Sequence, residues 1–106
     1  MTISEHTNDA GIVLEVDGRV DANTSDQLQA AVLSALKTAK HVTVDFSKVS
    51  YLSSGGLRAL LLGHKQALLK GAAMELANPS DFVKSVLVSV GFDKMLRVTY
   101  DKQDRA

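Results

Sequence analysis

The sequence predicts an α/β domain built on a mixed, largely parallel sheet of four to five strands with three main helices. Segments that are rich in Val and Ile, or that carry apolar residues at every second position, alternate with segments whose apolar residues recur every three or four positions. Strands that alternate with helices in this way form parallel sheets covered by those helices. The chain has 106 residues and is 45% apolar, so we predict that residues 1–106 form a single domain, with 101–106 a frayed tail.

The predicted strands are short and bounded by turn signals. Residues 11–20 are rich in Ile and Val, and residues 41–46 alternate apolar with polar side chains. The predicted strands are residues 11–20, 41–46, 73–77 and 95–100, with residues 2–7 pairing to the first of them through a turn at 8–11, and residues 47–53 as a connection.

Capping residues mark the ends of the predicted helices. Asn23 or Thr24 caps the first helix, and Thr24 with Gln27 has the spacing of a capping box. The second helix covers residues 54–70 and ends at Gly71, the residue best suited to a left-handed cap.

The third predicted helix begins at Asn78 and Pro79, with Asn as the cap and Pro in the first helical position. Its buried face includes Phe82 and Val90, and Gly91 ends it.

Two loops are the expected place for function. Ligands and partners of parallel sheets gather beyond the carboxyl ends of the strands. Residues 18–24 precede the first helix and residues 50–56 precede the second. With right-handed crossovers, both loops lie at the same edge of the sheet.

Composition excludes several classes of function. Lys plus Arg and Asp plus Glu both number 12, and aromatic residues make up 5%, so neither phosphates nor bases of a nucleic acid find suitable partners. The absence of cysteine excludes disulfides and thiolate chemistry. The N-terminal segment has no apolar signal core, and no run of about 18 apolar residues occurs, so we expect a cytoplasmic protein without membrane insertion.

Hydrolysis by a serine nucleophile is also disfavoured. The nucleophile needs a histidine within hydrogen-bond reach. His64 lies about 15 Å from Ser54 along the same helix at 1.5 Å per residue, His41 begins the strand that leads to the serine loop, and nothing points to His6. Leu52 stands where the G-x-S-x-G elbow has its first Gly. We therefore predict no catalytic residue.

The sequence also lacks the residues that a phosphate-binding loop or a metal site requires. Residues 53–56 have neither the spaced glycines nor the Lys of a nucleotide-binding loop. Asp17 and Asp21 are near in sequence, but two carboxylates make a weak metal site. No cofactor and no metal are expected.

Two serines and two glycines, residues 53–56, stand directly before a leucine-rich helix. In one interpretation Ser53 and Ser54 cap the helix, and Gly55 and Gly56 allow close packing. In the other, a serine is phosphorylated: a phosphate at a helix N-terminus meets unpaired N–H groups and the positive end of the dipole, so the fold tolerates it. The new charge then acts on a partner protein.

Three segments resemble landmarks of one family. Residues 44–61, VDFSKVSYLSSGGLRALL, resemble the signature of bacterial anti-sigma factor antagonists, small single-domain members of the STAS family. That signature is a strand ending in Asp, a short loop, and Asp-Ser-Ser-Gly-Leu or Ser-Ser-Ala-Gly-Leu at a helix start. Residues 18–28 are similar to the family's Gly-x-hydrophobic-Asp landmark, and residues 77–96 to its C-terminal segment. The similarity implies a STAS-like fold over nearly the whole chain.

The resemblance also implies a mechanism. The unmodified antagonist binds a serine/threonine kinase that doubles as an anti-sigma factor, phosphorylation of one serine breaks the complex, and a metal-dependent serine phosphatase restores it. On this sequence the acceptor falls on Ser54, with Ser53 as a spare, while Asp21 matches the loop acid and Asp45 the strand-end acid. The residues expected to meet the partner are Asp21, Asn23, Ser53, Gly55, Gly56 and Arg58.

Two positions depart from the family pattern, and two other functions stay open beside the one that the resemblance implies. Family members often have Asp where this chain has Ser53, and a second Ser or Thr where it has Gly55. One alternative is an accessory STAS subunit of a membrane lipid or solute transport complex, in which the serine is only a cap. The other is a sensor that binds a nucleotide or small molecule through the same loops.

Overall fold

The computed structural model describes residues 1–100, which form a five-stranded sheet and four helices. Residues 101–106, the predicted frayed tail, lie outside the described residues. The strand order is β1-β2-β3-β4-β5; β1 is antiparallel to β2 and the other neighbours are parallel, which confirms the predicted fold class. The elements are β1 (Thr2–Asn8), β2 (Gly11–Val20), α1 (Ser25–Thr38), β3 (His41–Leu52), α2 (Ser54–Lys70), β4 (Ala73–Ala77), α3 (Asp81–Ser89), α4 (Phe92–Met95) and β5 (Arg97–Thr99).

Alternation along the strands gives the sheet one buried face. Leu14, Val44 and Leu76 lie side by side across β2, β3 and β4, and all three are buried. Leu28 of α1 and Leu60 of α2 join them in the hydrophobic core. This face explains why strands and helices alternate in the sequence, since each strand supplies one row of the core and each helix covers it.

The opposite face of the sheet, the open face, carries polar residues. The carboxylate of Glu75 on β4 accepts a hydrogen bond from the Thr43 hydroxyl at 3.3 Å. His41 Nε2 is 3.5 Å and Arg97 Nε is 3.4 Å from the same carboxylate. The group therefore connects β3, β4 and the short edge strand β5 through side chains as well as through the backbone.

The β1–β2 turn is the one predicted from the sequence. Asn8 Oδ1 accepts hydrogen bonds from the backbone N–H groups of Ala10 at 2.9 Å and Gly11 at 3.0 Å. Gly11 has a φ of 148°, and a Cβ there would lie 2.0 Å from the His41 carbonyl oxygen, so no other residue fits without a shift.

Strand β3 is longer than the sequence indicated. Residues 47–53 were expected to be a connection, but β3 continues to Leu52 and stays paired with β2. The pairing register shifts twice, between Glu15 and Asp17 and between Gly18 and Arg19. These irregularities break the period of two, which is why the alternation that reveals a strand disappears from this half of it.

The start of the third helix also differs from the prediction. Asn78 has a φ of 57°, and its backbone N–H donates to the Thr99 carbonyl at 2.8 Å, so it belongs to the connection beside β5. The N-cap is Ser80, whose Oγ accepts a hydrogen bond from the Val83 N–H at 3.2 Å. Prediction from the Asn-Pro pair was wrong because a better cap follows two residues later.

Gly91 follows the C-cap of α3, Val90, in the left-handed conformation, so the prediction that this glycine ends the third helix is confirmed; the short helix α4 directly after it was not predicted. Helix α3 ends at Ser89, and Gly91, with a φ of 79°, precedes the single turn of α4. The last strand is therefore Arg97–Thr99, shorter than the predicted 95–100. None of the helices within residues 1–100 combines the length and apolar content needed to span a bilayer.

Candidate functional site

The two predicted loops meet at the start of α2. The Ser53 N–H donates to the Val20 carbonyl at 2.9 Å, which ties the serine loop to the end of β2. A Cβ on Gly55 would lie 3.0 Å from Ser25 Oγ, so the first turns of α1 and α2 also approach each other closely. The parallel pairing of β2 with β3 produces this arrangement, as the sequence predicted.

The two serines have different surroundings. Ser53 is the N-cap of α2, with extended backbone, and its Oγ accepts a hydrogen bond from the Gly56 N–H at 3.3 Å. Ser54 is the first helical residue and is exposed. Its hydroxyl makes no hydrogen bond to any of residues 1–100. Capping therefore occupies Ser53 and leaves the hydroxyl of Ser54 available.

The electrostatics at this helix start favour an anion. The backbone N–H groups of Ser54 and Gly55 have no acceptor within the helix, because the first residues of a helix lack a preceding turn. The first turn of α2 contains no acidic residue. Arg58 follows one turn later and is exposed. The positive end of the helix dipole and a nearby guanidinium thus act together.

Asp21 organises the loop between β2 and α1. Its Oδ1 accepts a hydrogen bond from the Asn23 N–H at 3.0 Å, and Arg19 Nε lies 3.7 Å from its Oδ2. The Asn23 N–H is the main cause that lowers the pKa of Asp21 below 3.8; the Thr24 hydroxyl and Arg19 add to it, and partial desolvation opposes it. Asp21 is therefore an acceptor that holds an Asx turn in its ionised form.

Thr24 occupies the N-cap position of α1 without capping through its side chain. Its hydroxyl accepts from the Asp21 N–H at 2.9 Å and donates to the Arg19 carbonyl at 2.8 Å. The predicted capping box with Gln27 is therefore wrong, because the hydroxyl closes the preceding loop instead. Asn23 is exposed beside it.

Two of the predicted site residues lie elsewhere. Asp45 is not at the end of a strand: β3 continues to Leu52, about 23 Å further at roughly 3.3 Å per residue. Asp45 lies beside Glu15 in the sheet, and its Oδ1 accepts from the Ser47 N–H at 2.8 Å. The expectation that Asp45 is a strand-end acid is corrected, because β3 extends beyond it to Leu52.

Gly56 is buried and cannot line a contact surface. A Cβ at this position would lie 2.5 Å from Leu52 Cδ1 and 2.7 Å from Val20 Cγ1. Gly56 therefore serves the close packing of α2 on the strands, whereas Gly55 is half-buried at the rim.

The structure adds an aromatic group that sequence reasoning missed. Arg19 Cζ lies 4.3 Å from the centre of the Tyr51 ring, and the Tyr51 and Phe82 rings stack with centroids 6.2 Å apart. Phe82 was expected on the buried face of its helix, yet it is 52% exposed. Val90, expected there too, is 50% exposed. Tyr51 lies in the unrecognised half of β3, so no periodicity pointed to this group.

A one-sided, largely parallel sheet in which a capped serine loop opens the second helix defines a STAS-type domain. The chain belongs to the family described as "Mlab, STAS domain", whose model matches residues 3–98.

Known proteins agree with this assignment. A STAS-domain containing protein of Pseudomonas aeruginosa is 26% identical over 88 residues, which cover 83% of this chain and 87% of that protein. The Bacillus anti-sigma factor antagonist SpoIIAA has the same fold in its unphosphorylated form (TM-score 0.81, 17% identity, 98% of this chain and 91% of that one). Its phosphorylated form matches as well (TM-score 0.75, 16% identity, 98% and 95% of the two chains).

A sulfate transporter family protein from Wolinella succinogenes shares the fold over a smaller part of its length. The TM-score is 0.72 at 22% identity, and the match covers 82% of this chain and 74% of that one. At these identities the likeness to solved structures establishes the fold.

Proposed function

We propose that this chain is an anti-sigma factor antagonist, a cytoplasmic protein-interaction module without catalytic activity that is switched by phosphorylation of Ser54. The observation that carries the proposal is the exposed Ser54 hydroxyl, free of hydrogen bonds to residues 1–100, at a helix N-terminus already capped by Ser53. The partner is an anti-sigma factor with serine/threonine kinase activity, and a metal-dependent serine phosphatase reverses the modification.

The physical chemistry of the site supports such a switch. A phosphate on Ser54 adds about −1.5 to −2 charge and three acceptor oxygens close to unpaired N–H groups, so the fold accepts it. A partner that covers the unmodified surface then meets an unneutralised charge, which can cost it several kcal/mol of binding free energy. The existence of SpoIIAA in both forms is in line with a fold that tolerates a phosphate.

The surface around Ser54 defines the proposed contact. The proposed contact consists of Asp21, Asn23 and Arg58 together with Ser53 and Gly55 of the serine loop, all of which are exposed or half-buried. The buried Gly56 and the distant Asp45 are left out of the proposed contact surface for the reasons given above.

The test uses the cognate kinase with ATP and intact-mass analysis. We expect one added phosphate on the wild type and on Ser53→Ala, and none on Ser54→Ala. Ser54→Ala should keep its affinity for the kinase, and Ser54→Asp should lose at least tenfold while its melting temperature stays unchanged. An unmodified wild-type mass, or a phosphate that persists in Ser54→Ala, rules the switch out.

A second candidate is a constitutive subunit of a membrane lipid or solute transport complex. The fold match to a sulfate transporter family protein favours it. In that case the serine loop only caps the helix, through Ser53, and the isolated complex contains transport proteins and an unmodified chain. Co-purification of the native complex followed by mass spectrometry separates the two candidates.

A further inference from the structure

We propose that the docking surface extends along the whole exposed side of α2 and takes an acidic, partly apolar segment of a partner protein. The surface, called the α2 stripe, consists of Ser54, Arg58, Leu62, Lys65 and Leu69. Their spacings of four, four, three and four residues place them on one side of the helix. The stripe is about 22 Å long at 1.5 Å per residue. This inference rests on the proposed function only because Ser54 forms one end of the stripe.

The leucines on and beside the α2 stripe are more exposed to solvent than large apolar side chains usually are. Leu69 is 83% exposed and Leu62 is 38% exposed, and Leu68 beside them is 65% exposed. Large apolar side chains that remain in contact with water along one helix face mark an interaction surface.

The opposite side of α2 holds the stripe rigidly in place. Leu60 and Ala67 are buried there, and Gly63 lies so close to α1 and β4 that a Cβ would be 2.6 Å from Val32 Cγ1 and 2.9 Å from Met74 Sδ. A helix fixed in this way presents a preformed surface, which reduces the entropy lost on binding.

Charge defines the chemistry of the partner. The chain is neutral as a whole, yet it contains no Asp or Glu between Asp45 and Glu75. Helix α2 carries Arg58, Lys65 and Lys70 within this span. A partner surface with carboxylates therefore meets complementary charge along the entire helix, and apolar side chains between those carboxylates cover the leucines.

A protein fits these features better than an anionic membrane does. Membrane attraction through basic residues requires clusters of about four to eight, each contributing about 1 kcal/mol. Helix α2 has three basic side chains, Arg58, Lys65 and Lys70. The exposed leucines supply the burial that a protein interface needs, while the charges set the orientation of the partner.

The test titrates the isotope-labelled full chain with a defined probe and follows amide chemical shifts by NMR. The probe is a stapled 18-residue helix with Glu and Leu at matching helical spacings, and a second peptide has Lys in place of each Glu. We expect the acidic peptide to shift amides along the α2 stripe and to weaken as salt rises. Arg58→Glu with Lys65→Glu should reduce its affinity at least tenfold, and Lys94→Glu, an exposed control on α4, less than twofold.

The outcomes separate this inference from the switch at Ser54. If charge reversal abolishes peptide binding while the kinase with ATP adds no phosphate to the wild type, the stripe stands and the switch fails. The stripe is overturned if charge reversal has no effect in a folded variant, if the Lys peptide binds equally well, or if neither peptide binds at millimolar concentration. Binding to phosphatidylglycerol vesicles in place of the acidic peptide also overturns it, in favour of a membrane surface.

Discussion

Ser53 and Ser54 are neighbours in the chain, but only one of their hydroxyls bonds to the helix that follows. The Ser53 backbone is extended, with φ of −94° and ψ of 176°, so its Oγ reaches the Gly56 N–H. Ser54 already has a helical position, and its hydroxyl makes no hydrogen bond to any of residues 1–100. Although the two side chains are identical, Ser53 therefore caps the helix and Ser54 keeps an available hydroxyl.

This division predicts unequal effects on stability. Ser53→Ala should lower the free energy of unfolding by about 1 kcal/mol, the usual cost of a lost N-cap. Ser54→Ala should change it by less than about 0.5 kcal/mol, because an exposed side chain without partners is replaced. Urea unfolding of both variants measures the difference. Equal losses would show that Ser54 also stabilises the helix.

The sequence identified the serine segment but could not assign these roles. Capping depends on the backbone angles of one residue, and both serines satisfy the same residue preference. The same limit applies to Thr24, whose hydroxyl bonds to Asp21 and Arg19 rather than to its own helix. Residue type identifies candidates for a cap, and the tertiary path of the chain selects among them.

At the scale of elements, Gly63 determines how closely α2 packs against α1 and β4. Gly63 faces Val32 of α1 and Met74 of β4. Met can shift its flexible side chain, but Val is stiff at its first side-chain angle. The absence of a side chain at residue 63 therefore determines how near α1 and α2 can lie.

Gly63→Ala should destabilise the protein despite the higher helix propensity of Ala. The propensity gain is about 1 kcal/mol, and overpacking costs about 1–3 kcal/mol, so we expect a net loss of about 1 kcal/mol. Thermal and urea unfolding measure the loss, with the exposed Lys65→Ala as a control. Val32→Ala should cost less in the Gly63→Ala background than in the wild type, since the two sites are in contact. A more stable Gly63→Ala variant would contradict the packing geometry.

Element order was predictable because each period in the sequence corresponds to a buried face. Leu28, Val32 and Leu36 recur at helical spacing, and all three are buried in α1. What failed was the second half of β3, because two register shifts remove the alternation there. The start of α3 failed because a Pro in second place looks like a helix start, although the chain still runs beside β5 at Asn78.

At the scale of the whole molecule, positive and negative charges balance in number but not in position. The carboxylates concentrate on the sheet and in the loops, and α2 is free of them. Family membership and fold class followed from motifs spread along the chain. The aromatic group of Arg19, Tyr51 and Phe82 did not, since its members come from three elements whose contact no local pattern reveals.

The acid side of the stability curve should depend on Asp21. The pKa of Asp21 is lowered in the folded protein. Its contribution to the free energy of unfolding is therefore fully present above pH 3.8, the ordinary pKa of the group, and is lost as the pH falls through the lower pKa of the folded state. Asp21→Asn removes this contribution, and we expect the difference in urea midpoint between the variant and the wild type to shrink below about pH 4. Asp9→Asn, in the exposed β1–β2 turn, is the control for losing one carboxylate. A difference that stays constant down to pH 2 would argue against the Asx turn as its source.

The open face of the sheet makes the molecule convenient to observe. The chain lacks cysteine, so Ser4→Cys on the exposed strand β1 would be the one thiol in the protein. A fluorophore or a biotin attached there sits on the side of the sheet away from the helices and leaves them free in solution. Immobilisation through that thiol would orient every molecule in the same way, with both the serine loop and the length of α2 accessible to whatever flows past.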